Sequence, residues 1–518
     1  MGAVVGAFGS GTVSAYSELT EHIAQVNDVL NAISVLTWDA RTQMPPGGAE
    51  TRGKQIATLS SLAQERLTSD ALKDALARAE LENFADIVQE RVIRSVRAAV
   101  GLFERTPPAL TAELAHLKTV AQGVWAEARG GSDFRLFAPY LERMVALNQQ
   151  LAEAIGYSEH PYDALLAQYE PGLTTAKLRA LFGSLKAGIL PLLEGIRLRD
   201  REPRWDFLTR DFPEGEQRAF NLRIAERFGY DLTRGRLDTS AHPFEISFTR
   251  HDVRITTRYD RRYLPMSLFG TLHEVGHALY EQGVAPELIR GALTSDFSGL
   301  YAVGGSSYGT HESQSRLWEN LVGRSHAFWE RHFPELQATF PKQLGDVDAG
   351  TFYRAVNRVS PSLVRVEADE VTYNLHIMPR VELEAALLAG TLAVADLPEA
   401  WNAKMEGYLG LAPPDDATGV LQDIHWSAGL FGSFPTYMVG NVMASQFFEA
   451  AKSRVPGLTD ALAAGEYAPL RAWLTENIYQ HGRTYAPHEL LERATGQDLS
   501  VEPYLRYLNE KYRDLYDL

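Results

Sequence analysis

The sequence predicts a mainly α protein: a single large helical domain with a small β-hairpin set into it. Three observations carry this expectation. Apolar residues recur at three- and four-residue steps through most of the 518 positions, the period of an amphipathic helix. One stretch alone switches to period two. No Ser/Gly-rich or Pro-rich tract and no long block of one charge interrupts the pattern, so nothing marks a linker. Hydrophobic residues make up 45% of the chain, enough for a sizeable core.

The elements follow in order. Residues 1–14 are small and apolar and carry no positive charge. They read as a disordered leader rather than a signal peptide, leaving 15–518 as the folded domain. Residues 17–36 place Leu19, Ile23, Val26, Leu30 and Ile33 on one helical face. Similar patterns run through about 50–66, 82–104, 109–130, 136–155, 174–196 and 216–229. They resume at about 312–330, 364–377, 380–390, 434–452, 467–480 and 499–516. Pro45-Pro46, Pro107-Pro108 and Pro413-Pro414 punctuate them. The exception is 243–259. Pro243–Thr249 and Asp252–Tyr259 alternate apolar and polar residues around Arg250 and His251, which predicts a short hairpin. Its free edge could pair with an extended peptide; a purely structural ribbon explains the pattern equally well.

Composition removes several function classes. The net charge is −16 and the basic residues are scattered, so no nucleic-acid partner is expected. There is no cysteine, which excludes disulfides, thiolate ligands and Cys nucleophiles. No apolar run reaches the roughly 18 residues of a membrane helix, so no membrane partner is expected. A cytoplasmic location is the default.

The chemistry concentrates at His273-Glu274-Val275-Gly276-His277, an H-E-x-x-H pentapeptide inside the helical pattern of 266–280. Positions i and i+4 share a helix face. Two imidazoles there can grip one Zn²⁺, with the adjacent Glu as general base on a bound water. A surface helix with two unrelated histidines is the bland alternative. A catalytic zinc normally takes three protein ligands. The metzincin pattern places a Gly three residues and a His six residues after the second His; here those positions are Tyr280 and Gly283, so that class is excluded. The downstream candidates are Glu281, Glu287, Asp296, His311, Glu312 and Glu319. Glu281 is two turns along the same helix, too far to complete a tetrahedron, though it could support a ligand. Asp296 falls in a Gly/Ser-rich loop. Glu312 opens a strong helical pattern, and a rigid element suits metal geometry. It is preferred. The competing explanation is that it only stabilises its own helix N-terminus.

At this point a wider set of motifs falls into place. Trp38-Asp39 is followed by Met44–Glu50; Asp252–Thr256 reads D-x-R-x-T; then come the metal pentapeptide and His311-Glu312-Ser313-Gln314. Val364–Asp369 reads I-R-x-x-A-D with Val for Ile, Gly419–Trp426 reads G-x-x-Q-D-x-H-W, and Phe434–Tyr437 closes the series. In this order the chain resembles the carboxypeptidase Taq family, the thermostable zinc carboxypeptidases of bacteria and archaea. The resemblance runs from about residue 17 to the C-terminus. Two departures stand out: a longer segment within 294–307, and Ser433 where the family usually has Tyr.

The resemblance implies a helical, saddle-like body with a deep groove, usually a homodimer. It implies zinc held by His273, His277 and Glu312, although Co²⁺ suits the same ligands, and a peptide substrate with a free C-terminus. Glu274 would act as the base. His425 and Tyr437 are candidate donors to the oxyanion. A free carboxylate calls for an arginine fork: Arg365 first, Arg254 second. For Arg365 the competing explanation is an ion pair with Glu367 or Asp369. Asp252 and Asp423 are expected to orient neighbours. The rival functions are a helical zinc endo-oligopeptidase or dipeptidyl carboxypeptidase, which needs no cation one residue past the scissile bond, and a non-catalytic helical scaffold.

Overall fold

The computed structural model describes residues 14–84, 86–199 and 202–518. Residues 1–13, most of the expected leader, lie outside them. Ser14 is already part of the fold: its hydroxyl accepts from the Ser17 N–H and caps the first helix, Ala15–Thr42. Helices dominate the rest. One cluster of buried apolar side chains takes in Leu19 near its start and Tyr516 near its end. Among the described residues no helix is long and apolar enough to cross a membrane.

The periodicity located most helices within a few residues. Residues 109–130 became Pro108–Gly131, and 174–196 became Thr175–Arg197. Three differences have physical causes. The patterns at 364–377 and 380–390 resolve into a 3₁₀ turn, Arg365–Glu367, and one helix, Tyr373–Leu388. That helix carries Pro379 inside it. A proline there costs one backbone hydrogen bond, and burial of Leu375, Ile377, Met378, Val381 and Leu383 around it offsets the loss. The pattern at 312–330 is split into the helix Tyr308–Arg316, a π-helical turn over Leu317–Val322 and a new helix from His326. Short helices such as Asp70–Ala79 and Pro487–Thr495 were not anticipated.

The hairpin is present and has a third strand. β1 is Gly235–Thr239, β2 is Glu245–Thr249 and β3 is Asp252–Thr257. β3 is central, antiparallel to β2 and parallel to β1. β1 was missed because five residues with two charges carry little pattern. Alternation places Val253 and Ile255, both fully buried, on one face of β3 and Arg254 on the other. Thr256 fastens the connection between β1 and β2, accepting from the Phe244 N–H at 2.9 Å and bonding Ser240 at 2.7 Å.

The metal-motif helix, Leu264–Gly283, has Pro265 in its first turn and buried residues on almost every side. It packs against the sheet and against Tyr308–Arg316. That second helix is polar in sequence yet buried from Gly309 to Ser315. Its own hydroxyls satisfy backbone carbonyls, Ser313 on Thr310 and Ser315 on Glu312. Its start is tied down by Ser307, which accepts from the Thr310 N–H, and by the buried Glu170 carboxylate, which accepts from Gly309 and Ser307. An acidic group at a helix N-terminus is favourable.

Two glycines allow these helices to meet. A Cβ on Gly276 would sit 2.4 Å from the Gln314 carbonyl oxygen, and one on Gly440 would sit 2.5 Å from Cγ of Glu312. Gly276→Ala should therefore push two packed backbones apart. The expected loss is roughly 1–3 kcal/mol, the usual range for overpacking. Gly123→Ala, on an exposed helix position with nothing within 4 Å, should instead gain about 0.5–1 kcal/mol. Urea denaturation of the two variants checks the opposite signs.

Candidate metal centre

His273, Glu274 and His277 come from the metal-motif helix and Glu312 from the polar helix beside it. Glu312 Oε2 lies 3.5 Å from His273 Nε2 and 3.3 Å from His277 Nε2. A tetrahedral ion with ligands about 2.0–2.1 Å away spaces them by about 3.3 Å. The donor set of two imidazoles and one carboxylate thus fits a divalent transition metal in number, type and spacing. Among the described residues this is the one group of three such side chains placed to share an ion.

The electrostatics treat the two histidines differently. Burial pushes the His277 imidazole down to about 3, keeping its ring neutral as ligation requires. Burial also works against charge on His273, but the Glu312 carboxylate and the Glu319 hydrogen bond outweigh it and raise that imidazole. Burial works against the Glu312 carboxylate too; Arg316 and the two histidines overcome it and hold the group well below the usual range. Glu274 is buried at 6% exposure. Burial raises its carboxyl to about 7. That value suits a proton acceptor near neutrality.

The other candidates take supporting places. Glu319 meets Nδ1 of His273 at 3.0 Å rather than joining the donor set. Its carboxyl is held at about 2: burial opposes the charge, and His273, Arg316 and Arg324 overcome it. Such a carboxylate fixes the tautomer and orientation of a ligand histidine. Glu281 bonds Nε2 of His311 at 2.9 Å and accepts from the Gly304 N–H. The His311 ring stacks on His277 with centroids 4.5 Å apart. Asp296 organises its own loop through Ser298 and Gly299. Glu287 lines a cleft with Tyr16 and Ile23 that contains none of the metal-facing residues.

A second cluster gathers Arg365, Asp423, His425 and Tyr437. Arg365 places Nε and Nη2 on Asp423 Oδ1 at 3.0 and 2.9 Å, and Nη1 on the Tyr373 hydroxyl at 3.2 Å. Its ion-pair partner is Asp423, not Glu367 or Asp369. Glu367 is exposed, and Asp369 pins the backbone N–H groups of Ser360, Val371 and Thr372. The fully buried Arg380 donates to the other Asp423 oxygen at 2.7 Å. Two guanidiniums on one carboxylate leave one positive charge in excess. His425 Nε2 is 3.1 Å from the Tyr437 hydroxyl, and its ring stacks on Phe434. Burial first, then Arg365, pushes the His425 imidazole down to about 3. Burial raises the Tyr437 phenol to about 12, leaving it protonated and able to donate.

Arg254 does not join this cluster. Its fork is filled by Asp252 at 2.8 and 2.7 Å, and its guanidinium lies between the rings of Trp38 and Phe248. The Trp38-Asp39 and D-x-R-x-T motifs therefore meet each other in space. Ser433 spends its hydroxyl on the Leu430 carbonyl. The residues that sequence reasoning missed are Arg316, Tyr373 and Arg380. Only Arg316 left a signal, four residues after Glu312 and three before Glu319.

The carboxypeptidase Taq (M32) metallopeptidase family matches the chain over residues 18–512. The chain belongs to that family. It is 43% identical to thermostable carboxypeptidase 1 of Thermus thermophilus, with 97% of this chain and 99% of the relative covered. It is 39% identical to carboxypeptidase 1 of Bacillus subtilis, covering 96% and 98%. The crystal structure of an M32 carboxypeptidase from Deinococcus radiodurans R1 superposes with a TM-score of 0.93 at 42% identity, covering 97% of this chain and all of that one. This M32 protein is accordingly a metallocarboxypeptidase, a peptide hydrolase.

Its Asp423 junction makes a direct prediction. Asp423→Asn removes the full negative charge that the buried Arg365 and Arg380 guanidiniums share. Breaking a buried pair this way costs roughly 3–5 kcal/mol. Chemical denaturation should register that loss, while Asp252→Asn, at a half-exposed pair, should cost far less.

Proposed function

We propose that this metallocarboxypeptidase removes single residues from the free C-terminus of peptides, with Zn²⁺ held by His273, His277 and Glu312. The observation that carries the reading is the shared Glu312 oxygen, within 3.5 Å of Nε2 on both histidines. Co²⁺ suits the same donors. Bound there, the metal supplies a Lewis acid that polarises a carbonyl and acidifies a water.

The chain's own groups do the rest. Glu274 adjoins the first histidine without being a donor to the ion. Its carboxylate takes the proton of the attacking water and hands it to the leaving amine. The Tyr437 hydroxyl, held by His425, donates to the oxyanion of the tetrahedral intermediate, and the His425 ring is the alternative donor. Arg365 pairs with the substrate carboxylate, aided by the charge that Arg380 adds beside Asp423. Arg254 ranks second because it lies on β3, paired with Asp252 and outside the cluster of Arg365, Asp423, His425 and Tyr437. The fold of 15–518 serves this one site. A homodimer working in the cytoplasm is part of the same reading; light scattering tests the first half of it.

His273→Ala, His277→Ala and Glu312→Ala should each lose most bound zinc by metal analysis. Glu274→Gln should keep a full equivalent and lose several powers of ten in kcat, because both proton transfers fail. Activity within tenfold of wild type would remove Glu274 from the mechanism.

Substrate-end recognition is tested separately. Peptides with a free C-terminal acid should be cleaved well and their amides poorly. Arg365→Ala should lower kcat/KM for the acids by more than about tenfold, since truncating a desolvated charge pair costs roughly 2–5 kcal/mol, about thirtyfold or more. It should affect the amides far less. Equal cleavage of acids and amides by wild type would favour an endo-oligopeptidase. Retained discrimination in Arg365→Ala would move the clamp to Arg254.

A further inference from the structure

Arg316 ends the polar helix that carries Glu312, and no step above uses it. It is mostly buried, with 14% of its side chain exposed, and three groups hold it. Its Nε donates to Glu312 Oε1 at 2.7 Å. Its Nη1 reaches Glu319 Oε2 at 3.5 Å. Its guanidinium lies over the ring of Tyr373, 4.4 Å from the centroid. Tyr373 is itself fixed, because its hydroxyl accepts from Arg365.

The two carboxylates on Arg316 have different tasks. Glu312 offers Oε2 to the histidines, so Arg316 occupies the oxygen that faces away from them. Glu319 accepts at Nδ1 of His273, which leaves Nε2 of that ring with its lone pair toward Glu312. On a regular helix Glu312 and Glu319 would lie almost two turns, about 10 Å, apart along the axis. The chain switches to a π-helical turn immediately after Arg316. Such turns re-aim side chains locally, and here both carboxylates reach opposite nitrogens of one imidazole.

We infer that Arg316 is a positioning residue that sets the donor oxygen of Glu312 and the tautomer of His273 together, and so sets metal affinity. This rests on the reading that His273, His277 and Glu312 hold the ion. Without the guanidinium, Oε1 of Glu312 is a buried carboxylate oxygen with no cation. Only the Ser315 hydroxyl, on Oε2 at 3.0 Å, and the two histidines then orient the group, and Glu319 loses one of its two arginines. Arg324, which touches only the outer oxygen of Glu319 at 3.3 Å, holds neither donor directly.

The test measures zinc dissociation constants by competition with a chromophoric chelator on the full-length protein. Arg316→Met should weaken binding by roughly tenfold to a hundredfold, the range for groups that orient ligands. Arg316→Lys keeps a charge without the fork, reaches one carboxylate rather than two, and should fall between. Arg324→Met should change affinity less than either. Saturating zinc should restore most of kcat in Arg316→Lys, since the residue acts through the metal. Wild-type affinity in folded Arg316→Met and Arg316→Lys would overturn the assignment, even if both melt earlier. Should Arg316→Met fail to fold, Arg316→Lys decides. Glu312→Ala separates the two levels. A full equivalent of zinc in that variant overturns the ligand set and this inference with it. Zinc lost there but unchanged in Arg316→Lys overturns the inference alone.

Discussion

Glu312 is a carboxylate carried into the packed centre of a helical protein, and most of the surrounding structure answers that one charge. An isolated buried carboxylate is too costly to persist ionised. Arg316 on one oxygen and the two histidines around the other make it tolerable. The protein keeps a negative site ready where a cation is to bind. Glycine at 276 and 440 lets the neighbouring helices close on it. Glu170, at the other end of the same short helix, fixes where that helix begins.

The same logic extends outward through aromatic rings. Arg316 lies on Tyr373, Tyr373 bonds Arg365, and Arg365 shares Asp423 with Arg380. These contacts join the metal donors to the proposed carboxylate clamp in one connected network, with one positive charge left over at Asp423. Partly satisfied networks of this kind are unstable, and fully satisfied ones specify a single geometry. The proposed clamp thus has a set distance from the scissile bond, which an enzyme counting one residue from a chain end requires.

Much of this was legible in the sequence, and the gaps are instructive. The pentapeptide at 273–277 could be read directly, because helix spacing and ligand chemistry constrain it; Glu312 was one of several acidic candidates, preferred for its place in a helical pattern and supported by the family resemblance. The helices with an apolar stripe were located within a few residues. The helix at Tyr308–Arg316 began four residues earlier than expected, because it has no stripe: it is polar and buried, stabilised by its own hydroxyls. That mismatch between pattern and burial is itself what a functional segment looks like. The π-helical turn after it has no periodic signature, so the approach of Glu319 to the far side of His273 was out of reach. Arg254 shows the opposite limit. Its residue type suits a carboxylate, but only the fold shows its fork filled by Asp252 and its planar face covered by Trp38. Arg365 has a neighbour in Asp423 that lies 58 positions away, which no local pattern reveals.

The most direct measurement is a crystal structure of the zinc-loaded protein with anomalous scattering recorded at the zinc edge. The account predicts one peak about 2.0–2.2 Å from Nε2 of His273, Nε2 of His277 and Oε2 of Glu312. It also predicts Oε1 of Glu312 still on Arg316, and the Glu274 carboxylate outside bonding distance of the ion. A peak held by Glu274 or Glu319 in place of Glu312, or one lying away from the two histidines, would contradict it.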